Sequence, residues 1–141
     1  MDDKKHIYRV IDANLNRLRE GLRVCEEYFR FIKNEKEPSQ KLKKLRHCCR
    51  FLEENFEKEK LFFYRDSVND PFAADFEAQE TERKNVAELL TANIKRCQEA
   101  ARVIEEFAKL CEKDSVSKIS KNIRFELYAF EKDCCENYNN I

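Results

Sequence analysis

The chain has 141 residues, with 28 basic and 28 acidic side chains, 42 % apolar residues, two prolines and a single glycine. Roughly ten glycines would be average, so Walker A loops, dinucleotide turns and kinase glycine-rich loops, which need several at fixed offsets, are excluded. So few breakers also argue against sandwiches and barrels, and the balanced charge argues against broad, salt-dependent nucleic-acid binding.

In chain order, apolar residues at spacings near 3.6 predict a first helix from about Ile7 to Lys33, through Val10, Ile11, Leu15, Leu18, Leu22, Cys25 and Phe29. The polar stretch KNEKEPSQ ends it, and Ser39 after Pro38 reads as the N-cap of a second helix from about Gln40 to Lys60. Leu42, Leu45, Cys49, Leu52 and Phe56 form its stripe. The segment Leu61 to Phe76, LFFYRDSVNDPFAADF, has neither period and carries turn chemistry around Asn69-Asp70-Pro71. A loop this aromatic is expected to pack onto the helices. A third helix is predicted over about Glu77 to Cys111 and a fourth over about Val116 to Tyr138. The expected fold is all-α: an antiparallel four-helix bundle in a single domain.

The seven cysteines are odd in number and form no Cys-x-x-Cys. His47, Cys48 and Cys49 are the one cluster worth testing for zinc; reduced thiols acting as small hydrophobes are the commoner case. No run of about 18 apolar residues could span a bilayer, and the start MDDKKHIYRV lacks a secretory core. The expected location is cytoplasmic.

Self-comparison yields the strongest signal. DANLNRLREGLRVCEEYFRF (Asp12 to Phe31) aligns without gaps to TANIKRCQEAARVIEEFAKL (Thr91 to Leu110), with eight of twenty positions identical at an offset of 79. The identical pairs are Ala13/Ala92, Asn14/Asn93, Arg17/Arg96, Glu20/Glu99, Arg23/Arg102, Val24/Val103, Glu26/Glu105 and Glu27/Glu106. KLKKLRHCCRFLE (Lys41 to Glu53) is echoed by KISKNIRFELYAFE (Lys118 to Glu131). The chain therefore reads as a duplicated helical hairpin, with half-repeats of about 7–60 and 77–138 joined by the loop 61–76, packed about a pseudo-twofold axis.

On a helical wheel Asn14, Arg17, Asn93 and Arg96 fall within the apolar stripes, where an amide or guanidinium is costly unless bonded. Glu20, Arg23 and Glu27 fall on the solvent or interfacial side. One reading is a buried network, Arg17 or Arg96 pairing with Glu20 or Glu99 at i+3. The other is an anion site where the half-repeats face each other, suited to a phosphorylated or carboxylated small molecule. The loop adds Arg65 with Asp66 and Asp70, carboxylates four residues apart. These either cap turns or hold the Mg²⁺ of a phosphoryl-transfer reaction.

Together, YRVIDANLNRLREGLRVCEEYFRF, RDSVND, ANIKRCQEAARVIEEFAKL and RFELYAFEK resemble a bacterial family of thiamin biosynthesis, over nearly the whole chain. That family comprises monofunctional hydroxymethylpyrimidine phosphate kinases, standing alone or fused ahead of thiamin-phosphate synthase. The resemblance implies ATP-dependent conversion of hydroxymethylpyrimidine phosphate to its diphosphate, with Mg²⁺. For that reaction the repeat and the loop make Arg17, Arg96, Arg65 and Asp66 the expected catalytic residues, Asn14 and Asn93 join the two helix arginines in binding substrate, and Asp66 and Asp70 hold the metal. Where family members often have a glycine after the second Asp, this chain has Pro71. The expected partners are the phosphorylated pyrimidine and ATP, with homodimerisation open. The alternative is a non-catalytic helical module, either dimerising or recognising an anionic metabolite.

Overall fold

A computed structural model describes residues 3–75 and 82–138, with side chains described for 3–57, 59–75 and 82–133. It is all-α. α1 (Asp3–Glu27) runs directly into a π-helical turn (Tyr28–Ile32) and is followed by α2 (Lys36–Glu54), α3 (Lys58–Tyr64), α4 (Val86–Lys109) and α5 (Asp114–Tyr138).

The boundaries differ from the sequence reading at four points. α2 starts at Lys36, with Pro38 in its first turn, where the missing N–H costs nothing. Ser39 is therefore a buried helical residue and caps nothing. The second predicted helix is broken after Glu54 by Glu57 in the left-handed region, φ 55°. Chain reversal there starts α3, so Leu61 to Tyr64 are helical and not loop. α4 begins at Val86, where the Asn85 side chain accepts from Glu88 N–H at 2.8 Å; the predicted start, Glu77, lies outside the described residues.

The aromatic segment packs less than its composition suggests. Leu61 is buried and Tyr64 stacks on Tyr8 at 5.9 Å, but Phe62, Phe63, Val68 and Phe72 are exposed. Seven residues of helix give one inward face, and the rest of the segment is turns.

α1 and α4 form the central pair, α2 flanks α1, α5 flanks α4, and α2 touches α5 only marginally. α1 and α4 are antiparallel, because Asp3, Lys4, Ile7 and Tyr8 line one cavity with Leu110 to Lys113. They cross at Gly21, where a Cβ would come within 2.5 Å of Cys97 Sγ and 3.5 Å of the Asn93 carbonyl oxygen. That close approach explains a glycine in mid-helix, at a cost of about 1 kcal/mol relative to alanine. Ile11, Leu15, Leu18, Leu22, Leu42, Leu52, Leu90, Ile94, Ile104 and Leu127 fill the core around the crossing.

The duplication is visible in the packing. Buried Leu45, Cys49 and Leu52 of α2 correspond to buried Ile123, Leu127 and Phe130 of α5, at an offset of 78. Both hairpin turns pass through a left-handed residue, Asn34 and Glu112, again 78 apart. The offset is 79 along α1 and α4, so the first half carries one extra residue before its turn. The π-helical turn Tyr28–Ile32, the form a one-residue insertion takes within a helix, absorbs it.

Candidate functional site

Seven of the eight repeated identities, all but Ala13/Ala92, divide into two sets. One holds the hairpins together. Glu26, 3 % exposed at its side chain, accepts from Arg46 Nε at 2.8 Å, and Glu105 accepts from Arg124 Nε at 3.1 Å and Nη2 at 2.9 Å. Arg23 reaches Glu27 at 2.9 Å just as Arg102 reaches Glu106 at 3.2 Å. Each hairpin thus carries the same buried guanidinium–carboxylate pair, partnered with little water present.

The second set lines an open groove of about 680 Å³ along the α1–α4 crossing. Its walls are Asn14, Arg17, Glu20, Gly21 and Val24 from α1 and Asn93, Arg96, Glu99, Ala100 and Val103 from α4. Every wall residue has its counterpart 79 positions away, and four of the five pairs are identical.

Inside the groove the charges behave differently from those outside. Arg17 and Arg96 are exposed, not buried as the helical wheel placed them, because an arginine at the stripe's edge can turn out across a crossing this narrow. Among the described residues neither forms an ion pair, and neither do Glu20 and Glu99. The expected i+3 pairing is therefore not made. Asn14 is buried; its Nδ2 donates to the Val10 carbonyl at 2.9 Å and its Oδ1 accepts from Arg17 Nη1 at 3.4 Å. Asn93 repeats the anchor, Nδ2 donating to the Leu89 carbonyl at 2.8 Å. Among the described residues the carboxamide oxygen meets its neighbouring guanidinium in the first half only, Asn14 with Arg17.

The loop residues form a separate, smaller pocket of about 280 Å³ beside the groove, lined by Arg9, Asp12, Asn16, Arg65, Asp66 and Asp70 among others. Arg65 is gripped by Asp12, Nε to Oδ2 and Nη2 to Oδ1 both at 2.7 Å, and lies over the Phe62 ring. The Asp12 carboxylate raises the Arg65 pKa, and Glu20 at the groove's edge raises it further. Asp66 accepts from the Asn69 backbone N–H at 3.2 Å and from Asn69 Nδ2 at 2.8 Å, bonds that hold it below the usual carboxylate range. Arg9 Nη2 donates to the Asp66 carbonyl at 3.0 Å, and Asp70 Oδ1 accepts from Phe72 N–H at 2.9 Å. Asp66 and Asp70 thus cap turns here, with three of their four carboxylate oxygens engaged.

The His47, Cys48 and Cys49 cluster is split, His47 exposed and Cys49 buried. Burial pushes the thiols of Cys49 and Cys97 up to about 12, so both are uncharged. Among the described residues no three His, Cys, Asp or Glu side chains converge as metal ligands, and no helix is long and apolar enough to cross a membrane.

Sequence reasoning placed Asn14, Arg17, Asn93 and Arg96 together, and the structure lines one groove with all four. It missed Glu20, Glu99, Val24 and Val103 as groove residues, although their repetition was the available signal. Asp12 had no local signal, since its partner lies 53 residues away and its repeat counterpart is Thr91.

A duplicated all-helical frame around a paired Arg/Asn groove describes a small class of protein. The match to the ThiD2 family model covers residues 9–133, and the chain belongs to that family. It is similar to thiamine-phosphate synthases of Nostoc punctiforme, 36 % identical over 127 residues, and of Thermosynechococcus vestitus, 38 % identical over 128 residues. A third, from Prochlorococcus marinus strain SARG, is 40 % identical over 130 residues. These alignments cover 90 %, 91 % and 90 % of this chain but 35 % of each relative, so the chain spans about a third of their length. No solved structure gives a significant match.

Proposed function

We propose that this chain serves thiamin biosynthesis as an ATP-dependent kinase that converts hydroxymethylpyrimidine phosphate to the diphosphate, with the α1–α4 groove as its active site. The observation that carries the reading is the pair of arginines, Arg17 and Arg96, that face one groove without an ion-pair partner among the described residues, while the repeated charges beyond the groove, Arg23, Glu26 and Glu27 with Arg102, Glu105 and Glu106, are paired. Family membership and the similarity to thiamine-phosphate synthases support the pathway.

The reaction brings two phosphorylated molecules together, and their repulsion is the first barrier. Two guanidiniums reduce it and spread charge from the moving phosphoryl group. The accepting oxygen belongs to a phosphate that is largely ionised at neutral pH. No general base is required, in keeping with a groove that contains no histidine. Asn14 orients Arg17, and Asn93 is the second amide on the groove wall. Arg65, held by Asp12 beside Glu20, adds positive charge at one end. The magnesium that accompanies ATP arrives as part of the substrate. Glu20 and Glu99, without an ion-pair partner among the described residues, are the carboxylates placed to meet it, with Asp66 and Asp70 as the alternative. The groove is lined from one chain, so the reading needs no second copy, and its nucleotide donor makes it a cytoplasmic activity.

The test incubates the purified protein with Mg-ATP and the pyrimidine monophosphate. ADP and pyrimidine diphosphate are expected, and Arg17→Ala or Arg96→Ala should lower the rate roughly 10- to 100-fold, equivalent to about 1.5–3 kcal/mol. Ligand binding without ADP formation would support the non-catalytic module instead.

A further inference from the structure

The groove walls repeat as two three-residue sets one helical turn apart: Asn14, Arg17 and Glu20 on α1, and Asn93, Arg96 and Glu99 on α4. The asparagines are anchored identically, each donating to the carbonyl four residues earlier, at 2.9 and 2.8 Å. In both sets the arginine and glutamate have no ion-pair partner among the described residues, whereas the next repeated charges along the same helices, Arg23 and Arg102, are paired in both halves. Gly21 and Ala100, the smallest residues available, floor the space between the sets. Because α1 and α4 are antiparallel, the sets approach the centre from opposite directions. A single anion held in one asymmetric clamp would not need two copies of the arrangement.

We infer that the groove is two equivalent phosphate half-sites, one centred on Arg17 and one on Arg96, that each take one phosphoryl group independently and present the two face to face across the pseudo-twofold axis. The ligand class follows: two phosphate esters bound side by side, or one molecule carrying a phosphoryl group at each end. Asn14, which accepts from Arg17 Nη1 at 3.4 Å, is a positioning residue acting through that guanidinium. This inference rests on the phosphate-binding reading of the groove and extends it to stoichiometry and symmetry.

The experiment uses full-length protein with ¹⁵N-labelled arginine, titrated with inorganic phosphate at constant ionic strength. The Nε–Hε signals of Arg17 and Arg96 are assigned from Arg17→Ala and Arg96→Ala. Both signals should shift, with apparent dissociation constants within about threefold of one another. In Arg17→Ala the Arg96 signal should still titrate, and the reverse should hold in Arg96→Ala. Circular dichroism should be unchanged in both variants, since both side chains are exposed. Response of only one arginine, loss of both responses on removing either, or equal shifts with chloride would overturn the inference. Two independent responses without ADP formation would remove the kinase reading and leave the half-sites standing. ADP formation with a single responding arginine would do the opposite.

Discussion

The two half-repeats share a frame and differ at a few places along it. Both hairpins carry the buried arginine–glutamate pair, the Arg23 or Arg102 fan, the left-handed turn residue and one wall of the groove. The first half alone has a π-helical turn, a glycine at the crossing, the helix α3, and the Asp12–Arg65 clamp. Similarity thus lies in the groove walls and in the pairs that hold each hairpin together, and difference lies at the floor of the crossing, ahead of the first hairpin's turn and where the connecting segment meets α1. A groove symmetric in its walls and asymmetric at its rim can hold two chemically alike groups while distinguishing what is attached to them.

The largest effect is expected from the shared frame. Glu26→Ala and Glu105→Ala each strand a largely buried guanidinium, Arg46 or Arg124, and should cost roughly 3 kcal/mol of unfolding free energy by urea denaturation. Equal losses would sharpen the equivalence of the halves; a loss confined to one would break it.

The crossing comes next. Gly21→Ala forces a Cβ against Cys97 Sγ and should destabilise by about 1–2 kcal/mol, overpacking outweighing the better helix propensity. Combined with Cys97→Ala it should recover most of that loss, and strict additivity in the double-mutant cycle would show that the contact is not the reason for the glycine.

Burial raises thiols in both halves, most of all Cys49 on α2 and Cys97 on α4. Their folded pKa values lie above those of unfolded cysteine, so the stability they contribute is complete below about pH 8.5 and declines as pH rises toward 12. Melting temperature should fall through that alkaline range, and fall less steeply in Cys49→Ala and Cys97→Ala, each compared with its own neutral-pH value.

The asymmetric rim gives the smaller effects. Asp12→Asn loosens Arg65, whose side chain is 41 % exposed, so screening keeps the stability cost below about 1 kcal/mol. ADP formation should fall by a similar factor in Asp12→Asn, Arg65→Ala and the double variant, because Asp12 acts through Arg65. Asp66, with its pKa lowered by Asn69, stabilises the turn above the unfolded carboxylate range and loses that contribution as pH falls through its folded value. NMR titration of the Asn69 amide should report this as a local change, with no counterpart in the second half.

The frame was legible in the sequence because helical spacing and an offset of 79 are properties of nearby residues and of exact repetition. Asn14, Arg17, Asn93 and Arg96 could be grouped before any coordinates. What escaped were features set by tertiary contact. A wheel places Arg17 by the angle of its Cα, yet its long side chain turns outward at the crossing. Glu57 carries no signal for a left-handed conformation, so the break between α2 and α3 was invisible. The change of offset from 79 to 78 was present in the sequence, but only the π-helical turn reveals where the extra residue is absorbed.

The pairing of α1 with α4 also governs when the groove can exist. α1 can pack with α2 and α3 soon after synthesis, since those contacts are local, but its other side has no cover until α4 is complete. The loop to be closed is long, and contacts of that sequence separation form late in folding. Local opening should follow the same seam, separating the hairpins while each keeps its internal arginine–glutamate pair. Helix content would then persist after both walls of the groove have parted, so hydrogen exchange at the crossing would give a more sensitive measure of competence than circular dichroism.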